Sequence, residues 1–588
     1  MKAYPLIRTK WSNEYVMLLL YAVLLFYYIP QWIKNPEGSY KFLLLLAAGL
    51  LIDAVFHLIR YKRMWCCVSA AVTAAMISIL AHGVPFMGQL LGVASALIIG
   101  KQIWGGTGKN MVNPAMFGLL TIMAVYRIPY PYFPASYLFL PAVILSIPFI
   151  KSRPFAGSGL MIGMIASLIL TGDLSILSLI THGVFFWSCL VITDPVTVTK
   201  RPFIGMFTGI LAGAAAIFIP SPVTLVIGII AVNLISALIE TIPQKRPISL
   251  RTRSRLSKVV NNLPGAMIDL SGEINLQKNK EFVIPELSSD EIMKRIKKNE
   301  VFGMGGAAFS TYQKLLSVSE SKEIKKYLII NGVECDPGLV HDNYLLHNFS
   351  NEICKGIEIL RKCVSFDTVY IAVKNTAGLH FPEDIILYKV PNAYPIGAEK
   401  ILISEILKDP MGKNEIPAES GILVLNVQTV YSIFTSVTLD QPVTTRLITV
   451  ANLIDRTAKV VKIRLGMKVH DIMEAVYPGM VNVFAGGGLM QAYRADEDAV
   501  ADRNVNFLAA GMFPKYKESP QCSKCGACTD KCPAGLKVNL IADLVDHGKL
   551  KETLKYHATD CIGCGSCSYY CLAGRNLSAK VKAAKEAV

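Results

Sequence analysis

Over roughly its first 240 residues the chain is almost continuously apolar, broken only by proline, glycine or isolated charge. The apolar runs are 15 to 20 residues long, with centres near 22, 50, 74, 93, 119, 144, 164, 183, 211 and 232. Runs of that length predict bilayer-crossing helices, about ten in all. From residue 250 the pattern changes to the mixed charge of a globular protein. There the stretch 291–300 reads as a charged helix, Tyr327–Ile330 and Gly421–Leu425 as short strands, and Val538–Leu554 as helical. The expected architecture is multidomain: an all-α polytopic membrane domain (1–243), a basic linker (244–284), an α/β domain (285–515) and an α-helical domain (516–588).

Composition agrees with that division. Hydrophobic residues are 52% and charged residues 17% of 588, against roughly 25% charged in soluble proteins. The net charge of +16 raises the question of nucleic acid, but no basic stripe or binding motif accompanies it, so nucleic acid is not an expected partner. In the membrane half most cations stand at the ends of apolar runs. With a cytoplasmic N-terminus, Lys2, Arg8, Lys10, Arg60, Lys62, Arg63, Lys101, Lys109, Lys151, Arg153, Lys200 and Arg201 fall on one side and Lys34, Lys41 and Arg127 on the other. This asymmetry places the globular half in the cytoplasm and the chain in the inner membrane as a multi-pass protein. No A-x-A-like cleavage site follows the first run, which is expected to be retained. Asp53 and Asp194 are almost the only carboxylates near the spans, too few to favour a transporter, and His57, His82 and His182 read as packed polar groups.

Eight of the fourteen cysteines lie within residues 522–571. Cys522-x2-Cys525-x2-Cys528-x3-Cys532-Pro533 and Cys561-x2-Cys564-x2-Cys567-x3-Cys571 repeat the bacterial two-cluster ferredoxin spacing, in which the fourth cysteine of each run reaches the other cluster. The spacing assigns Cys522, Cys525, Cys528 and Cys571 to one [4Fe-4S] cluster, and Cys561, Cys564, Cys567 and Cys532 to the second. Two zinc knots would need only four ligands each and do not call for this doubled run.

Glycine-rich segments occur in both halves. One is Trp104-Gly105-Gly106-Thr107-Gly108-Lys109-Asn110 followed by Asn113-Pro114-Ala115, a turn between spans or a cradle for an anionic or flavin group. Another is Phe302-Gly303-Met304-Gly305-Gly306-Ala307-Ala308-Phe309-Ser310, with Lys314 beyond it. A generic dinucleotide fingerprint is excluded because a charged helix, not a buried strand, precedes it. Asn331-Gly332-Val333-Glu334-Cys335-Asp336-Pro337-Gly338, Tyr394-Pro395-Ile396-Gly397-Ala398-Glu399-Lys400 and Asn426-Val427-Gln428-Thr429 follow it in order.

The first turn and Thr193-Asp194-Pro195-Val196-Thr197, set on ten spans, resemble the RnfD membrane component of Rnf electron-transport complexes and, more distantly, the NqrB component of the sodium-pumping NADH:quinone reductase. Residues 285–515 resemble the flavin and NADH module of the RnfC component, related to the flavoprotein of respiratory complex I. The chain thus looks like a fusion of RnfD and RnfC. The resemblance implies an FMN held non-covalently by Gly303, Gly305, Gly306 and Ala307, with Lys314 as countercharge and Gly397, Glu399 and Asn426 completing the cradle. It implies that Asn331, Glu334 and Asp336 contact isoalloxazine or nicotinamide and that Phe309 stacks near NADH. Ser310 stands where the family carries proline. The family's Ser-Gly-Ala-Thr-like site is missing between Tyr126 and Tyr137, so a covalent FMN is not expected; a non-covalent flavin in the membrane domain stays open. The implied function is electron transfer between NADH and a ferredoxin-like, quinone or partner-subunit acceptor through FMN and two [4Fe-4S] clusters, with ion translocation as in Rnf complexes. Other Rnf-like membrane and redox subunits and a ferredoxin-like carrier are the implied partners. The competing reading is a membrane-anchored electron wire without NADH dehydrogenase activity.

Overall fold

A computed structural model describes residues 12–587 except 35, 63–66, 107, 127–132, 134–136, 200, 220, 241–264, 273–283, 307, 409–410, 412–414 and 512–521. Lys2, Arg8, Lys10, Arg63, Arg127, Lys200, Ala307 and the linker 244–264 therefore lie outside the described residues.

Three helices, Glu14–Ile33, Ser39–Arg60 and Val223–Glu240, are long and apolar enough to cross a membrane. The remaining apolar helices are shorter: Val68–Leu80, Pro114–Val125, Leu140–Ser152, Pro154–Leu170 and Pro202–Phe218, with Phe86–Leu97 continued by a π-helical turn at Ile98–Gln102. Of the about ten spans of 15 to 20 residues expected, three are thus clear by length and composition. Nine of the ten centres lie inside helices, but the centre near 183 falls on Gly183, whose left-handed φ of 63° separates Ile176–Thr181 from Val184–Phe186. Proline explains the shortening, because Pro114, Pro154 and Pro202 sit in the first turn of their helices, where the missing N–H is harmless but the preceding helix must already have ended. A 12-residue helix such as Pro114–Val125 rises only about 18 Å, well short of a ~30 Å hydrocarbon core.

Small residues bring these helices together. Gly159 and Gly163 of Pro154–Leu170 face the carbonyls of Met206 and Ile210, while Gly209 and Gly213 of Pro202–Phe218 face those of Ala156 and Leu160, leaving no room for a Cβ at any of the four. This is the small-residue packing by which backbones approach closely in lipid. Among the polar groups, Asp53 is fully buried and accepts from Lys101 Nζ at 2.9 Å, Gln102 Nε2 at 2.7 Å and the Cys67 N–H at 2.9 Å. It pins three segments together.

Among the described residues the globular half carries ten strands: β1 (Ile268–Asp269), β2 (Tyr327–Asn331), β3 (Thr368–Val373), β4 (Ile385–Lys389), β5 (Ile422–Asn426), β6 (Thr445–Asn452), β7 (Thr457–Arg464), β8 (Val483–Gly486), β9 (Tyr493–Arg494) and β10 (Phe507–Ala510). β4-β3-β2-β5 form one parallel sheet, and β1-β7-β6-β10-β8-β9 a mixed one. Strands β2 and β5, buried through their middles, end in register at Asn331 and Asn426. That pairing sets two amides side by side at the carboxyl edge of the parallel sheet, where open α/β folds bind ligands. The charged helix is Ser289–Lys298, begun by a Ser288/Glu291 capping box.

The last domain is helical and internally repeated. Gly526 and Gly565, with φ of 74° and 73°, open the four-residue helices Ala527–Asp530 and Ser566–Tyr569 in equivalent places. The helix expected over 538–554 ends at Asp546, with left-handed Gly548 beyond it, and resumes as a 3-10 turn at Leu550–Tyr556.

Candidate redox sites

The loop after Ser289–Lys298 is closed on itself. Phe302 and Ser310 form an isolated antiparallel bridge, and Gly303 N–H donates to the Phe309 carbonyl at 2.7 Å. Inside the loop Gly306 has φ 103° and Ala308 φ 49°, a conformation glycine adopts freely and alanine does not. Thr429 Oγ1 accepts from Met304 N–H at 2.9 Å, and Arg446 Nη2 donates to the Met304 carbonyl at 3.1 Å. A Cβ on Gly305 would meet nothing nearer than Asn426 Cβ at 3.6 Å, and one on Gly306 nothing nearer than Asn506 Nδ2 at 3.4 Å. The glycines therefore line open space bordered by two amides, and Phe309 stands 49% exposed beside it.

The other expected head residues gather around this loop, each with a partner. Asn331 Nδ2 donates to the Gly397 carbonyl at 2.9 Å, and Asn426 Nδ2 to Asp342 Oδ2 at 2.8 Å. Lys314 Nζ pairs with Glu399 at 2.9 and 3.1 Å and also reaches the Val424 carbonyl, so two residues expected to serve the cofactor separately form one ion pair. Glu334, at a strained φ of 43°, accepts from Asp342 N–H at 2.6 Å. Asp336 accepts from the N–H groups of Gly338, Leu489 and Met490, each at 3.0 Å. A Cβ on Gly488 would come within 2.5 Å of its carboxyl carbon, so Asp336 anchors the 486–490 loop with both oxygens. Burial raises its carboxyl pKa, and the three N–H donors oppose that rise.

Sequence reasoning passed over several residues. Arg446 is buried, binds Asn506 Oδ1 and the Arg503 carbonyl, and is drawn down to about 10 by burial. His341 donates to or accepts from Thr449 Oγ1 at 2.9 Å and is held down at about 3 by burial and by Arg446. Burial pushes Asp342 up to about 7, against the opposing amide of Asn426. These groups come from elements with no motif. Gly486-Gly487-Gly488, at the end of an apolar strand, was a readable signal only for the close approach of Asp336 to Gly488.

In the last domain the structure brings the cysteines together as two quartets. Cys528 has Cys522, Cys525 and Cys571 as neighbouring thiols, and Cys567 has Cys561, Cys564 and Cys532, with Cys528 across the gap. N–H groups reach sulfur in both: Lys524 to Cys522 and Arg575 to Cys571, and Gly563 to Cys561, each at 3.4 Å. Burial pushes the Cys528 and Cys567 thiols well up and Cys532 to about 12. Among the described residues no group of three or more His, Cys, Asp or Glu converges tightly enough for a single ion.

The quartets face opposite ways. Tyr394, buried in the head, donates its hydroxyl to the Cys564 carbonyl at 2.6 Å and packs with Met490, Cys335 and Tyr569. On the other side the Cys522 carbonyl sits on Gly108 of the membrane half so closely that any Cβ there would overlap it. Lys109 pairs with Asp543, and Lys537 Nζ with Glu240 Oε2 at 3.0 Å. The first glycine-rich turn is thus occupied by the cluster domain's own backbone at Gly108.

Three family models match the chain. Residues 1–133 match the NQR2, RnfD, RnfE family, residues 296–435 the Nuo51 FMN-binding domain, and residues 514–572 a 4Fe-4S dicluster domain. Over 284 residues the chain is 31% identical to the C subunit of the ion-translocating oxidoreductase complex of Haemophilus influenzae strain Rd, covering 45% of this chain and 34% of that one. Over 290 residues it is 31% identical to the corresponding protein of Pasteurella multocida, with 46% and 34% covered. It is 27% identical over 325 residues to the C subunit of the Na(+)-translocating ferredoxin:NAD(+) oxidoreductase complex of Acetobacterium woodii, with 52% and 72% covered. The chain spans about a third of the length of the first two relatives. Among solved structures, an NAD+-reducing [NiFe]-hydrogenase in the H2-reduced state matches with TM-score 0.34 and 16% identity, over 50% of this chain and 61% of that one. In chain order, a segment similar to the RnfD family precedes an RnfC-like half that matches the FMN-binding and dicluster models.

Proposed function

We propose that this chain is a membrane-bound component of an Rnf-type NADH:ferredoxin or NADH:acceptor oxidoreductase, moving electrons between NADH and a ferredoxin-like, quinone or partner-subunit acceptor. The observation that carries the proposal is the opposed placement of the two quartets, one joined to the head through Tyr394 and Cys564 and the other seated on Gly108 through Cys522. A bound FMN would supply the conversion between the two-electron chemistry of NADH and single-electron transfer, and [4Fe-4S] clusters held by the two quartets would supply one-electron carriage.

In this reading the backbone of Gly303, Gly305, Gly306 and Ala307 receives the flavin's phosphate-bearing chain. Asn331 and Asn426, level at the sheet edge, present amides to the ring, while the exposed Phe309 offers a stacking face to the nicotinamide. Glu334 stands at the same edge, and the Lys314–Glu399 pair with Gly397 closes the far wall. Asp336 acts by fixing the 486–490 loop. Cys522, Cys525, Cys528 and Cys571 hold the membrane-side cluster, and Cys532, Cys561, Cys564 and Cys567 the head-side one. The domains run 1–243, 244–284, 285–515 and 516–588. The shorter apolar helices pack with the three long ones into a polytopic unit of about ten segments in the inner membrane, its globular half cytoplasmic. Other Rnf-like subunits complete the path, and ion coupling follows from the relatives' names.

The full chain, purified anaerobically with iron and sulfide supplied, tests this. About eight iron atoms per chain, the count of two cubanes, with one flavin, and NADH bleaching of both chromophores, are the expected result. Iron without flavin, or clusters that dithionite reduces and NADH does not, would establish the electron wire without dehydrogenase activity instead.

A further inference from the structure

The glycine loop of the head has one wall that comes from the other sheet. Asn506 directly precedes β10 in the six-stranded sheet and is only 4% exposed. Its backbone is held on both sides: its N–H donates to the Gly486 carbonyl at 2.9 Å, and its carbonyl accepts from Thr449 N–H at 3.0 Å. The side chain is fixed as well. Arg446 Nη2, on β6, donates to Asn506 Oδ1. A guanidinium carries donors only, so the amide oxygen must face Arg446 and the NH2 group must turn the other way. That way leads to the loop, where a Cβ added at Gly306 would meet Asn506 Nδ2 at 3.4 Å. Asn331 and Asn426 each spend an amide donor inside the protein, on the Gly397 carbonyl and on Asp342. Among the described residues Asn506 Nδ2 donates no hydrogen bond. A buried amide donor calls for an acceptor, and this one borders the open space in front of Gly306.

We propose that Asn506 is a further cofactor-binding residue, whose amide donates a hydrogen bond to an oxygen of the phosphate-bearing chain of FMN, and that the six-stranded sheet thereby completes a site otherwise built on the parallel one. The proposal rests on the reading that the head binds FMN at the Gly303–Gly306 loop. The hydroxyl and phosphate oxygens of that chain are acceptors, as the free donor requires. Arg446 supports the contact from behind: it is buried, and its Nη2 holds the Met304 carbonyl of the same loop at 3.1 Å while it orients Asn506. One guanidinium thus fixes both the loop and the amide that faces it, so the donor is aimed before any ligand arrives.

The test is FMN binding to the full chain, purified anaerobically, stripped of flavin and titrated with FMN, read as the change in flavin fluorescence, with iron content and far-ultraviolet dichroism as checks on folding. Asn506→Asp is the decisive variant, because it keeps an oxygen for Arg446 and replaces only the NH2 group, setting an oxygen against the oxygens of the ligand. Asn506→Ala removes the donor and adds no repulsion. FMN should bind about tenfold more weakly to Asn506→Ala and more weakly still to Asn506→Asp. Wild-type affinity in Asn506→Asp assigns Asn506 to holding Arg446 alone and overturns the proposal. Wild-type affinity in Asn506→Ala overturns it too, and that variant decides if Asn506→Asp loses its iron. A wild-type chain that takes up no FMN is a different failure: it overturns the reading of the head as a flavin site and removes this proposal with it.

Discussion

The two glycine-rich turns, Gly105-Gly106-Thr107-Gly108 in the membrane half and Gly303-Met304-Gly305-Gly306 in the head, look alike as strings and do opposite things. In the head the glycines border space: nothing stands closer than 3.4 Å to a Cβ added at Gly303, Gly305 or Gly306. In the membrane half Gly108 is covered, and the covering group is the carbonyl of a cluster cysteine. A glycine run reports only that something approaches the backbone. Whether that something is a ligand or another part of the chain depends on the fold, here on a contact more than 400 positions away in sequence.

Closing the open space or opening the closed one should separate the two roles. The largest effect is expected for Gly108→Val. Its Cβ would overlap the Cys522 carbonyl, and φ of 83° is hostile to a β-branched residue, so the cluster domain must leave the membrane face. Carbodiimide cross-linking of Lys537 to Glu240, a 3.0 Å pair, should then disappear while flavin content stays unchanged. Retention of the cross-link would mean that the seam tolerates displacement and that the comparison is wrong. Gly306→Ala is the converse. At φ 103° alanine is strained by about 1–2 kcal/mol, which predicts about tenfold weaker flavin retention, measured as flavin fluorescence after denaturation, with the cross-link intact.

How much of this was legible beforehand differs between the two regions for a physical reason. The cysteine spacing, the two short strands that end in Asn331 and Asn426, and the Gly303 loop are local patterns, fixed within a few residues of chain by ligand spacing, apolar runs and turn conformation, whereas the parallel register that sets the two asparagines side by side was not read. Membrane-helix lengths were read less well, since hydrophobicity marks a segment as apolar but Pro114, Pro202 and Gly183 decide where the helix stops. The seam was not legible at all. Gly108 against Cys522, Glu240 against Lys537 and Lys109 against Asp543 are single residues meeting across hundreds of positions, and nothing near any of them announces its partner. The same holds for Arg446, Asp342 and His341, buried behind the open turn by tertiary packing alone.

That buried group gives the head a pH response. Asp342 is raised to about 7 by burial, above its unfolded value of ~3.9, so the folded head holds a proton that the unfolded chain releases. Stability from this group is complete below about pH 4 and is lost as pH rises through about 7. Neutral His341, held at about 3 against an unfolded ~6.5, works the other way below about pH 6.5, so the Asp342 response is read by difference: relative to Asp342→Asn, the unfolding midpoint of the head should fall by a few degrees as pH rises from 5 to 8. An unchanged slope in the variant would assign the response to another group.

The smallest effect is expected from charge at the seam. Lys109 stands next to Gly108 and pairs with Asp543, but their side chains are 35% and 43% exposed. A pair so open to solvent contributes at most about 1 kcal/mol, and salt screens it over about 10 Å at 0.1 M. Lys109→Ala should accordingly lower the Lys537–Glu240 cross-link yield less than fivefold at low salt and leave it unchanged at 0.5 M, where the wild-type yield has itself fallen to the variant's. If Lys109→Ala instead abolished the cross-link as Gly108→Val does, the halves would be held by charge rather than by the close fit of one carbonyl over one glycine, and the two glycine-rich turns would no longer differ in the way proposed.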